Sequence, residues 1–212
     1  FSFGKSLVGS LAREPQFWLR NALEASERTI AKGEESGPRA WILPSNNRDP
    51  DAVRRLVDVL LLSGIELHVA QMDIEADGRR YPKGSIVILR NQPYSSHVKD
   101  LFDVQSYPEG EPPYDVSGWT LPMLLGVRRV EVMHPIETAA LRKVDSVDAA
   151  VKDFAGDPRL AKEKKALSSA HSGSWTQVVK SLAKSTPVSF ETTGENAGLL
   201  RFGEKSGLVM ER

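Results

Sequence analysis

Four histidines and no cysteine set the range of chemistry open to this chain. Without a thiol there is no cysteine nucleophile, no disulfide and no thiolate metal site. The sharpest spacing is His134-Pro135-Ile136-Glu137, because a His-x-x-Glu pair is how some zinc hydrolases present two of their three protein ligands. Pro135 directly follows the histidine, the pair sits where a strand exits to a loop, and His171 is the only later histidine. Two common residue types at that spacing arise readily by chance. No catalytic residue and no metal ligand is therefore assigned; a metallohydrolase using His134 and Glu137 is kept as an alternative. His171 with Ser172 and Ser174 is half of a nucleophilic pair, without the acid that would orient it. His68 alternates with apolar residues and reads as packed, while His97 beside Lys99 and Asp100 reads as exposed.

A second candidate is the loop Asn46-Asn47-Arg48-Asp49, between a strand end and a helix start. In open parallel sheets that carboxyl edge is where ligands bind, and a helix amino terminus attracts anions. The plainer assignment makes Asp49 a cap, has Asn46 and Asn47 hold the turn, and leaves Arg48 in water. A glycine-rich phosphate cradle is missing from the loop.

The elements that position these residues follow from periodicity. Residues 1–37 read as a helical segment from about Leu7 to Ala31, interrupted at Pro15, and a linker from Lys32 to Pro38. Ala40–Leu43 is an apolar run suited to a strand buried on both faces. Asp49-Pro50 opens a helix with Val53, Leu56, Val57, Leu60 and Leu61 on one side, and Ser63-Gly64 closes it. Ile65, Leu67 and Val69 form the next strand, so the spacing predicts a βαβ unit with parallel strands. Asp77-Gly78 marks a turn, Ser85–Leu89 another buried strand, Tyr94 to Phe102 a helix, 118–125 a short helix, and Val130 and Val132 a strand. From Ala166 a fainter copy follows: Trp175, Val178, Val179 and Leu182 supply a helix face, and 202–209 is compared with 81–87. The expected fold is α/β, a mostly parallel, flavodoxin-like sheet with flanking helices and a duplicated unit. Its parts would be a helical segment (1–37), an α/β domain (38–135) and a second, weaker unit (136–212), truncated or packed on the same sheet.

Composition narrows the function. The 212 residues carry 28 basic and 28 acidic side chains, so the chain lacks the basic excess of a nucleic-acid surface. No apolar run approaches the roughly 20 residues that span a bilayer. The start at Phe1 implies a processed or excised piece.

Arg39-Ala-Trp-Ile-Leu-Pro44, Arg48-Asp-Pro50, Tyr81-Pro-Lys-Gly84, Asn91-Gln-Pro-Tyr94, Val98-Lys-Asp-Leu101, Gln105-Ser-Tyr-Pro108, Pro113-Tyr-Asp-Val116, Gly118-Trp-Thr-Leu-Pro122 and Gly126-Val127 occur in that order. This series resembles the accessory region that follows the catalytic domain of bacterial zinc carboxypeptidase-like proteins, over roughly residues 15 to 130. The resemblance implies a secreted or periplasmic parent whose front domain holds zinc and hydrolyses a C-terminal peptide bond. It implies that this region is class I glutamine amidotransferase-like in fold, without glutaminase activity, since the thiolate is missing. The family's zinc ligands and general base match no position here, His134 and Glu137 included. The expected role is a non-catalytic accessory domain that docks on the peptidase domain or shapes access to its cleft. Gln92, Tyr94 and Trp119, in loops and short helices, are the candidate contacts. A stand-alone module binding a small ligand near Asn46 to Asp49 is the alternative.

Overall fold

The computed structural model describes residues 2–104, 110, 120–154, 166–168, 170–184, 186–192, 195, 197–203 and 208–210. The chain opens with α1 (Ser2–Arg13) and α2 (Pro15–Glu35). Glu14 N donates to Ser10 O (3.0 Å) and Trp18 N to Glu14 O (3.3 Å), so the helical path continues past Pro15, whose missing N–H falls in the first turn. Helix α2 runs through residues expected as linker because packing holds it there: Gly33 is buried against the backbone of Arg90.

β1 (Ala40–Leu43), α3 (Pro50–Leu62) and β2 (Leu67–Ala70) follow where periodicity places them. β3 (Ile74–Ala76) and β4 (Arg79–Tyr81) pair as a hairpin, and the two turn residues, Asp77 and Gly78, have φ of 48° and 68°. Both positive angles fit the mirror-image turn that matches the twist of paired strands. β5 (Ile86–Leu89), α4 (Ser95–Phe102), α5 (Leu121–Leu124), β6 (Val130–Val132), β7 (Leu141–Val144) and α6 (Val147–Val151) complete this part.

The five-stranded sheet has the order β6-β1-β5-β2-β7, and every pairing in it is antiparallel. The expected parallel, flavodoxin-like or amidotransferase-like sheet is therefore wrong for this chain. β1 and β2 do point the same way, but β5 lies between them, with Trp41 opposite Ile88 and Val69 opposite Ile86. The misleading signals were the strand–helix–strand spacing of β1, α3 and β2, taken as a crossover between neighbouring strands, and the unbroken apolar run of β1. Such a run reports burial on both faces, and a hairpin can cover the second face as well as a helix can. One face carries Trp41, Leu43, Leu67, Val69, Ile86 and Ile88, packed with residues of α3, α4 and α6. The other carries Ala40, Ile42, Ala70, Val87 and Val132, packed with Ile74, Ala76 and Tyr81 of the hairpin.

A second sheet is built from β8 (Ala166–Ser168), β9 (Val188–Phe190), β10 (Leu199–Phe202) and β11 (Leu208–Met210), with α7 (Ser172–Ala183) between β8 and β9. Its order is β11-β9-β10-β8, again wholly antiparallel. β10 lies between β8 and β9 as β5 lies between β1 and β2. The residues compared with 81–87, Leu208 and Val209, instead form an edge strand beside β9. The fifth strand of the first sheet, β7, comes from beyond residue 135.

Candidate functional site

The loop from β1 to α3 is where sequence reasoning places a ligand. Asp49 has extended backbone and caps α3: Oδ1 accepts from Asp51 N (3.0 Å) and Ala52 N (3.1 Å). Its second oxygen accepts from Ser172 N (2.9 Å), and Asp51 Oδ2 accepts from Gly173 N (3.1 Å), both in the first turn of α7. The amino termini of α3 and α7 thus meet on two carboxylates of the chain itself. The partial positive charge that could draw an outside anion is already answered there.

Asn47 is buried; its Nδ2 donates to Pro44 O and Arg128 O, and its Oδ1 accepts from Arg128 N at 2.7 Å. Asn46 Oδ1 accepts from the Arg128 guanidinium, while Arg48 is exposed with no partner among the described residues. The loop is a junction joining α3, α7 and the start of β6. Sequence reasoning missed Asp51 and Gly173, and named Ser172 only beside His171 and Ser174. Gly173 was the available signal, since a Cβ there would lie 2.6 Å from Asp51 Oδ2.

Asp49→Ala is expected to cost about 2 kcal/mol, combining a lost cap with a lost tie to α7. Asp49→Asn, which keeps one carbonyl acceptor, is expected to cost less. Urea denaturation gives the totals, and faster hydrogen exchange in 172–183 would mark release of α7.

The two described docking candidates differ in what they leave free. Gln92 is buried, with Nε2 donating to Glu66 O (3.2 Å) and Leu89 O (2.6 Å) and Oε1 accepting from Glu66 N (2.8 Å). Its amide is spent on holding the end of β5 to the start of β2. Tyr94 is half exposed, its ring over Gly64, where a Cβ would meet it at 3.0 Å. Trp119 lies outside the described residues.

His134 and Glu137 have separate structural partners. Asp77, in the β3–β4 turn, accepts from Met133 N (2.7 Å) and His134 N (3.2 Å) and meets His134 Nδ1 at 2.7 Å. The Met133 N–H, then the histidine, hold the Asp77 carboxyl below the usual carboxylate range. Glu137 Oε1 accepts from Ala139 N within its own loop. Among the described residues no three His, Asp or Glu side chains gather as a metal group.

His68 lies half-buried on β2. Its Nδ1 is buried without a partner, and burial pushes its pKa below the ordinary value, with Glu66 partly opposing. The unfolded chain therefore takes up the proton first, from about pH 6.5 downward. Stability from this group is complete above that pH and falls as pH drops toward the folded-state value. Urea midpoints are expected to fall between pH 7.5 and 5, and His68→Gln to flatten that decline.

No known protein family, curated protein or solved structure matches the chain. Among the described residues no helix is long and apolar enough to cross a membrane.

Proposed function

We propose that the chain is a non-catalytic accessory module of a secreted or periplasmic zinc carboxypeptidase-like protein, docking on its peptidase domain through α1 and the first half of α2. The ordered series of family-like segments between about residues 15 and 130 supports this reading. The structural observation that carries it is the arm itself. Every residue from Leu11 to Ala25 is exposed, and Phe3 and Leu19 show 80% and 71% of their surface. At helical spacing Leu7, Leu11, Trp18, Ala22 and Ala25 share one side, with Lys5, Arg13 and Arg20 on the other. A helix presenting such a face to water gains its stability when the face is covered. Zinc belongs to the peptidase domain in this reading, and the module shapes access to the cleft.

The reading frame upstream of Phe1 is expected to encode that domain. In the full-length protein, a photo-crosslinker at position 18 is expected to attach to the peptidase domain. Trp18→Glu with Leu19→Glu is expected to weaken docking by more than about tenfold. Crosslinks only to a second copy would overturn the proposal, as would peptide turnover by the isolated chain supplied with zinc. A small-ligand module is the second reading, favoured by a cavity elsewhere on the fold.

A further inference from the structure

The β3–β4 hairpin does not roof the whole second face of the five-stranded sheet. Where it stops, the last turn of α2, the adjoining ends of β1 and β5 and the loop after β6 line a half-open cavity of about 320 Å³. That is within the size range of small-molecule sites. Leu89 and Ile136 supply apolar wall, and Arg39, Glu34, Asn91 and Thr138 bring polar groups to the rim. None of these four side chains has a hydrogen-bond or ion-pair partner among the described residues. Arg39 is part-buried and its backbone is held on both sides: its N donates to Val132 O at 2.6 Å, and its O accepts from Arg90 N at 2.9 Å. The segment just before β1 thus carries a guanidinium with no partner among the described residues.

The two charges lining the cavity are opposite in sign, which selects among ligands. A dianion would face Glu34 and the negative carboxyl end of α2. A simple cation would face Arg39. A molecule carrying both charges on a short apolar body satisfies each. We propose that this cavity binds a hydrophobic α-amino acid. The Arg39 fork takes the carboxylate, with Asn91 beside it. Glu34 and the last carbonyls of α2 take the ammonium, and Leu89 and Ile136 receive the side chain. The site lies at the far end of α2 from the docking face on α1 and the first half of α2, so its success or failure leaves the docking proposal standing.

The test is calorimetric titration of the full chain with L-leucine, alongside L-leucinamide, which lacks the carboxylate, and N-acetyl-L-leucine, which lacks the ammonium. Saturable binding of L-leucine is expected, with each analogue at least about tenfold weaker. Arg39→Gln is expected to weaken L-leucine by a similar factor with an unchanged thermal midpoint, because that side chain holds nothing in the fold. The proposal is overturned by no saturable heat at about 10 mM L-leucine, by either analogue binding as well as the amino acid, or by Arg39→Gln keeping its affinity. The analogue comparison uses the unaltered chain, so it decides even where the variant misfolds.

Discussion

Gly33→Ala is expected to destabilise this protein by about 3 kcal/mol or more, reversing the usual effect of that substitution. Within a helix, exchanging glycine for alanine ordinarily gains up to about 1 kcal/mol. Here the new Cβ would lie 2.1 Å from Arg90 O, 2.7 Å from Arg90 C and 2.9 Å from Ser95 Oγ. The first two are backbone atoms beside a sheet, where Arg90 N donates to Arg39 O, so they cannot swing aside. Overpacking of this kind costs about 1–3 kcal/mol where the structure can adjust, and more where it cannot. The helix is expected to lift from the body, with a lower urea midpoint and faster hydrogen exchange over 26–35. Gly9→Ala is the control: its nearest neighbour is the mobile end of Arg13, so it is expected to be neutral or stabilising.

Arg90→Met is expected to cost about 2–3 kcal/mol, because it removes the cation that fastens the same helix. Arg90 is only 2% exposed. Its Nε donates to Ser95 Oγ (3.1 Å) and its Nη1 to Ser36 O (3.1 Å), with Pro38 O at 3.5 Å, while the guanidinium sits 6.0 Å from the Trp41 ring. Burial lowers its pKa from the ordinary arginine value, and Asp103 partly opposes this. Methionine fills similar volume but leaves the Ser36 carbonyl without its donor. Arg90→Lys is expected to recover little, since one ammonium cannot reproduce the planar fork. Both substitutions free the same contact, so Gly33→Ala with Arg90→Met is expected to cost scarcely more than the worse single change. Full additivity in urea titrations would show that the two act separately.

The features legible in the sequence depend on residues a few positions apart. Asp49 before Pro50 announces a capped helix, and Asp77-Gly78 announces a tight hairpin turn; both have the geometry those residues demand. What could not be read there depends on distant pairing. Ile86–Leu89 is visibly a strand, but its place between two earlier strands is set by contacts with Trp41 and Val69 that no local period encodes. The candidate loop shows the same division. One Asp49 oxygen serves its own helix, as the sequence foretells. The other reaches an amide 123 positions later, a link only the folded chain makes visible. Gln92 occupies a segment that reads as surface loop, yet its amide is enclosed by backbone partners on two elements.

The insertion of β5 between β1 and β2 has a consequence for synthesis. As the polypeptide leaves the ribosome, Ala40–Leu43 and Leu67–Ala70 emerge before the segment that must lie between them. In the folded sheet, with strands about 4.8 Å apart, they stand roughly 10 Å apart with β5 between them. A nascent chain ending before Ile86 therefore lacks the strand that joins these two, and their facing edges have no ladder partner until it is translated.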